Sequence, residues 1–153
     1  MTMVTTLAEN IGKGVVAGLA GTVAMTISST MEQKLRRRPP SLAPAEAAEK
    51  VLGIGTFQSE AAEKRFSTLV HWGYGTGLGV LRGVLRTMGV PPRAATAAHY
   101  AAMYGGNQVT LPALDVAPPL LKWGAEEIAI DAWHHLVYVL ATGLAYELLD
   151  GER

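Results

Sequence analysis

Charged residues are confined to particular stretches of this chain. Four windows between them contain no Asp, Glu, Lys or Arg: 14–31, 66–81, 94–114 and 132–146, of 18, 16, 21 and 15 residues. A hydrocarbon core about 30 Å thick takes roughly 20 helical residues to cross. The pattern therefore predicts membrane-spanning helices at about 10–33, 59–88, 93–111 and 125–149. Asn10 is a suitable N-cap for the first. Arg36, Arg37 and Arg38 followed by Pro39 and Pro40 end it, because proline lacks a donor and disfavours helix in the residue before it. The segment from Pro44 to Leu52, stopped by Gly53, predicts a short amphipathic helix lying at the surface. Gly89, Pro91 and Pro92 mark a tight turn, and Pro112 ends or kinks the third long helix. The expected fold is all-α: an integral membrane four-helix bundle, one domain over 1–153, with a short amphipathic helix in the loop between helices 1 and 2.

Composition sharpens this. Charged residues make up 17% of the chain, against about 25% in soluble proteins. Mean hydropathy is only +0.20, because the apolar windows are built from Ala, Gly and Thr more than from Leu, Ile and Phe. The absence of cysteine removes disulfides, thiolate metal sites and Cys nucleophiles together. A net charge of zero and the lack of a basic stripe argue against a nucleic-acid partner. The first residues have no basic segment running at once into an apolar core and cleavage site, so no cleaved signal peptide is expected. No repeat of 20–50 residues is visible. Expected partners are the lipid bilayer and a second copy or larger membrane complex; no cofactor is expected.

Lys and Arg set the orientation. Lys34, Arg36, Arg37, Arg38, Lys50, Lys64, Arg65 and Lys122 fall on one side; Lys13, Arg82, Arg86, Arg93 and Arg153 fall on the other. Eight against five places the Arg-rich loop in the cytoplasm and both termini outside. Arg82 and Arg86 either snorkel to headgroups or meet Glu147.

Helices in lipid associate through small residues that allow close approach. Candidates are Gly14, Gly18 and Gly21 on helix 1, Gly75, Gly79 and Gly83 on helix 2, with Gly73 and Gly77 on its other face, and Gly105 and Gly106 on helix 3. These pack helices within one chain, or leave a face for a second copy. Trp72, Tyr74, Tyr100, Trp123 and Trp133 fall near predicted helix ends, as interfacial anchors do.

Ionisable groups inside a span are costly and are candidate functional residues. By depth, Glu32, His71, Asn107, Asp131 and one of His134 and His135 share the cytoplasmic half, while His99 lies alone in the outer half. Glu127, Asp131, His134 and Tyr138 follow one helix face. Three readings follow: a buried hydrogen-bond network locking glycine-rich helices, a proton, ion or small-solute pathway using His71, Asp131 and His134, and a haem or metal site. No HExxH or ExxH pattern is present. Ser28, Ser29 and Thr30 lie where a histidine could reach them, but no GxSxG elbow supports a serine triad. No catalytic residue is assigned.

Several segments carry a family resemblance: GVVAGLAGTVAMT in helix 1, the following RRPPS, HWGYGTGLGVLRG, LPALDVAPPLLKW and AWHHLVYVLATG. Across most of its length the chain resembles the DUF1440/YagU-like group of small bacterial inner-membrane proteins. The resemblance implies a multi-pass inner-membrane protein with no defined reaction. His71 and the His134–His135 pair match the family's His-Trp and Gly-His elements, with Trp133 in place of the glycine.

Overall fold

A computed structural model describes residues 2–151, and these are helical with no strand among them. The helices are α1 (Met3–Arg36), α2 (Ala43–Leu52), α3 (Glu60–Leu78), α4 (Val80–Thr87), α5 (Pro92–Ala113) and α6 (Ala125–Gly151), with a 3-10 turn at Leu120–Lys122. Arg153, counted above for orientation, lies outside the described residues.

Helix α1 starts earlier than expected. Thr2 is its N-cap, and its hydroxyl accepts from the Thr5 amide at 3.3 Å. Asn10 is therefore not a cap; it is a buried mid-helix residue whose amide donates to Thr87 Oγ1 at 3.0 Å. At the other end Arg37 turns left-handed, with φ 56, and the Arg37 and Arg38 amides both donate to Gln33 O. That closes the last turn before Pro39.

The span expected over 59–88 is two helices. Ser59 caps α3, its hydroxyl accepting from the Ala62 amide. At Gly79 the ladder switches from i,i+4 to i,i+3: Gly79 N–H donates to Thr76 O, and Arg82 N–H donates to Gly79 O. This is a local 3-10 tightening, and it falls where α1 approaches most closely. α5 and α6 match expectation to within two residues at either end.

α1 lies in the middle. It packs along α6 on one side and along α4 and α3 on the other; α5 leans on α6 and α4, and α2 on α3. The Lys13–Asp150 and Arg36–Glu126 pairs fix α1 and α6 as antiparallel. One end of the body, the terminal end, carries the start of α1 and the end of α6. The opposite end, the arginine end, carries Arg36–Arg38.

The polarity of this body is unusual. Its largest fully buried side chains are Arg82, Tyr138, Tyr146, His99, Val139 and Thr142, mostly polar. The buried apolar cluster is only Met103, Tyr138 and Val139, edged by Met25, Leu78, Tyr100 and Leu136. Val15, Leu19, Val23, Ile27, Met31 and Leu35 of α1, and Leu140, Leu144 and Leu148 of α6, face outward. Two helices, α1 and α6, are long and apolar enough to cross a membrane.

Candidate functional site

The polar residues singled out from the sequence fall into two neighbouring groups and one outlier. The first group bridges α1 and α6 near the arginine end. Ser28 Oγ lies 2.9 Å from His134 Nδ1, and Glu32 Oε2 lies 3.7 Å from His134 Nε2. Glu32 is also claimed by Arg38, through two contacts, and by Arg36 at 3.5 Å; Arg36 reaches on to Glu126 at 3.0 Å. The order Ser28, His134, Glu32 is that of nucleophile, base and orienting carboxylate. Glu32, however, is held by two guanidinium groups. Ser28 sits within a helix, where the neighbouring amides are committed to the ladder and none is free to stabilise an oxyanion.

The second group joins α3, α5 and α6 through a chain of hydrogen bonds. Tyr74 O–H donates to Asn107 Oδ1 at 3.3 Å, and Asn107 Nδ2 lies 3.0 Å from His135 Nε2. His135 Nδ1 lies 2.7 Å from Asp131 O and 3.4 Å from Asp131 Oδ1. A carbonyl oxygen only accepts, so His135 Nδ1–H is the donor to Asp131 O, and Nε2 pairs with the Asn107 side-chain amide. Gln108 donates to Asp131 Oδ2 at 3.3 Å, and Tyr104 lies across the His135 ring at 5.4 Å.

His71 belongs to neither group. Its Nε2 lies 2.9 Å from Thr26 Oγ1, and the Thr26 hydroxyl already donates to Thr22 O. A hydroxyl has one proton to give, so His71 Nε2–H is the donor. Its ring stands edge-on to Trp72. Glu127 also stands apart. Its carboxylate accepts from the Gly124 amide at 2.7 Å and so caps the start of its own helix. His99 is fully buried, edge-on to Tyr138.

His71, Asp131 and His134 thus have separate partners, and no hydrogen bond among the described residues links any two of them. No group of three or more His, Asp or Glu side chains able to hold a metal is found among the described residues.

A third polar group, at the terminal end, was only partly visible in the sequence. Arg82, 2% exposed at its side chain, donates to Pro92 O at 3.0 Å and to Glu147 Oε1 at 2.7 Å, with its guanidinium over the Tyr146 ring. Of the two fates expected for Arg82, snorkelling and meeting Glu147, the second is realised. Lys13 and Arg86 both bind Asp150 at 2.7 Å. That pairing joins the first and last helices and has no local sequence signal.

The glycines divide sharply. A Cβ on Gly14 or Gly18 would strike the backbone of α3 and α4 at Gly79 and Thr76, and one on Gly83 would strike Asn10 O. Gly21 meets Thr142 and Tyr138 of α6, and Gly75 meets Thr22. At Gly73, Gly77, Gly105 and Gly106 nothing lies within 4 Å of such an atom. The expected packing role of Gly105 and Gly106 therefore has no partner among the described residues. Tyr138, between the two glycine contacts, donates to Gly75 O at 2.6 Å.

Compared with known proteins, the chain matches no protein-family model, no curated protein and no solved structure.

Proposed function

We propose that this is a four-pass protein of a bacterial inner membrane, as the DUF1440/YagU-like resemblance implies, with the arginine end in the cytoplasm and both termini outside. In this reading it is non-enzymatic and acts by associating with a second copy of itself or as an accessory subunit. Its buried His/Asp groups are structural. α1 and α6 span, and α3 with α4 and α5 supply the other two crossings.

The distribution of polarity supports the membrane reading. The apolar windows of α1 and α6 are only 28% and 33% buried, whereas a soluble helix of that hydropathy would be hidden in a core. A soluble bundle would need a polar face on α1, and the exposed positions from Val15 to Ile27 are all apolar.

The observation that carries the association reading is the open face of α5. Ala97, Ala98, Ala101, Ala102, Gly105 and Gly106 are exposed, and nothing packs on the two glycines. In lipid, small residues contribute through close backbone approach to another helix, and a lone small face forgoes those contacts. The chain has no cysteine, so Ala102→Cys introduces a unique thiol. Oxidative cross-linking in native membranes is expected to give a product of twice the monomer mass. A product of another mass identifies an accessory partner. Monomer alone, in protein recovered from the membrane fraction, defeats the association reading.

The continuous Tyr74–Asn107–His135–Asp131 chain of hydrogen bonds ties α3, α5 and α6 together, and this supports a structural network over a conduit. A proton, ion or solute pathway through His71, Asp131 and His134 is the second reading. Its motivation is the concentration of ionisable groups near the arginine end, and it requires Asp131→Asn to abolish flux while leaving the fold intact.

A further inference from the structure

We infer that the outer face of α3 is a binding site for an anionic phospholipid of the cytoplasmic leaflet, with the headgroup phosphate held between Lys64 and Arg65 and an acyl chain lying along Leu69 and Trp72. The inference rests on the membrane reading given above. A shallow groove of about 600 Å³ runs along this face, lined by Ala61, Lys64, Arg65, Thr68, Leu69 and Trp72. These positions are i, i+3, i+4, i+7, i+8 and i+11, one continuous helix face.

Polarity along the groove is graded in the way a phospholipid is. Two cations stand at its mouth, in the second turn of α3 at the arginine end, and the apolar wall begins one turn further in. Eight residues separate Lys64 from Trp72, about 12 Å at 1.5 Å per residue, which is the reach from a phosphate into the upper acyl chain. Among the described residues neither cation forms an ion pair with a carboxylate. Arg65 Nε donates to Ala61 O, and this bond lays its side chain along the helix face. Thr68 donates its hydroxyl to Lys64 O and so presents only its methyl side.

The inner wall is positioned rather than loose. His71 donates to Thr26 of α1, and its ring stands edge-on to Trp72 with centroids 5.7 Å apart. The indole is therefore braced through α1. Charge complementarity selects the occupant: two unpaired cations above an apolar wall suit a lipid of net negative charge over a zwitterionic one. Lipid also resolves an otherwise costly arrangement, because Leu69 and Trp72 are exposed on a face that no other helix covers.

The test uses the full chain in nanodiscs, in a Trp123→Phe/Trp133→Phe background that leaves Trp72 as the sole indole. Phosphatidylglycerol with brominated acyl chains is expected to quench its fluorescence at least twofold more than brominated phosphatidylethanolamine. Lys64→Gln/Arg65→Gln should equalise the two lipids, and each single variant should lose about half the preference. Lys34→Gln/Lys122→Gln removes the same charge from the same end and should leave the preference intact. Equal quenching by both lipids in the parent overturns the site. So does a preference that survives Lys64→Gln/Arg65→Gln, or one that Lys34→Gln/Lys122→Gln removes equally, which would be bulk surface attraction. Lys64→Arg/Arg65→Lys keeps both charges, and its retention of the preference excludes misfolding as the cause of loss. Protein that never enters the nanodisc fails the membrane reading; protein that enters without preference fails only the lipid site.

Discussion

The seam between α1 and α4 and the outer face of α5 are written in the same code, small residues four apart, and they end in opposite surroundings. At the seam Gly14, Gly18, Gly79 and Gly83 bring two backbones together so closely that no Cβ fits. On α5, Ala98, Ala102 and Gly106 are spaced identically and exposed, and a Cβ on Gly106 would meet nothing within 4 Å. The spacing specifies that a helix can be approached closely; it does not specify by what. At the seam the choice is made by polar clamps beside the glycines. Asn10 of α1 donates to Thr87 of α4 across the seam, and Arg82, next to Gly83, is held to α6 by Glu147. The α5 face has no equivalent clamp to another helix of the chain. Its outermost hydroxyl, Thr110, turns back onto Gly106 O.

The contrast makes four predictions. The largest effect is expected for Gly18→Leu, which drives a side chain into the backbone at Thr76 and Gly79. It should cost about 3 kcal/mol or more, read as loss of folded protein in an SDS titration followed by circular dichroism. Retention of parent stability would mean the seam is not formed. Next is Glu147→Gln, which leaves the buried Arg82 guanidinium without its anion. A cost of about 2 kcal/mol is expected in the same titration, at the level of a charge-assisted hydrogen bond. Gly12→Ala lies on α1 itself but has open space around it. It should stabilise by about 0.8 kcal/mol through helix propensity alone; destabilisation would show that α1 has a further close neighbour. Gly106→Leu should change monomer stability least, within about 0.5 kcal/mol, while abolishing the Ala102→Cys cross-link. A large loss of monomer stability would place a partner for α5 inside this chain and erase the difference between the two faces.

The helices were legible because charge is excluded from long windows, and exclusion over 15 to 21 residues is a signal that small errors in propensity cannot hide. The boundaries were less so. Asn10 reads as a cap by residue type, yet a better one stands at Thr2, and the Asn10 amide is used instead for a contact 77 positions away. The break at Gly79 was not legible, since glycine occurs throughout this segment and only the approach of α1 decides which one yields. Within the candidate site, depth counting grouped Glu32, His71, Asn107, Asp131 and one of His134 and His135, because depth is additive along a helix. Hydrogen bonds link Asn107, His135 and Asp131 among them, while Glu32 and His71 have other partners. Depth carries no azimuth, and His71 points to Thr26 on α1. Lys13 with Asp150 went unseen because nothing local to either residue encodes a partner at the far end of the chain.

The contact of α1 with α6 has a consequence for how the molecule comes into being. This most extensive of the interfaces joins the first long helix to the last. A ribosome delivers α1 many seconds before α6 exists, at about 5–20 residues per second. Through that interval the Gly21 face of α1 and the hydroxyl of Ser28 stand without their eventual neighbours Thr142, Tyr138 and His134. The contacts of α1 are therefore complete only after α6 arrives, so the 27 residues of α6 decide when the central helix gains its neighbours.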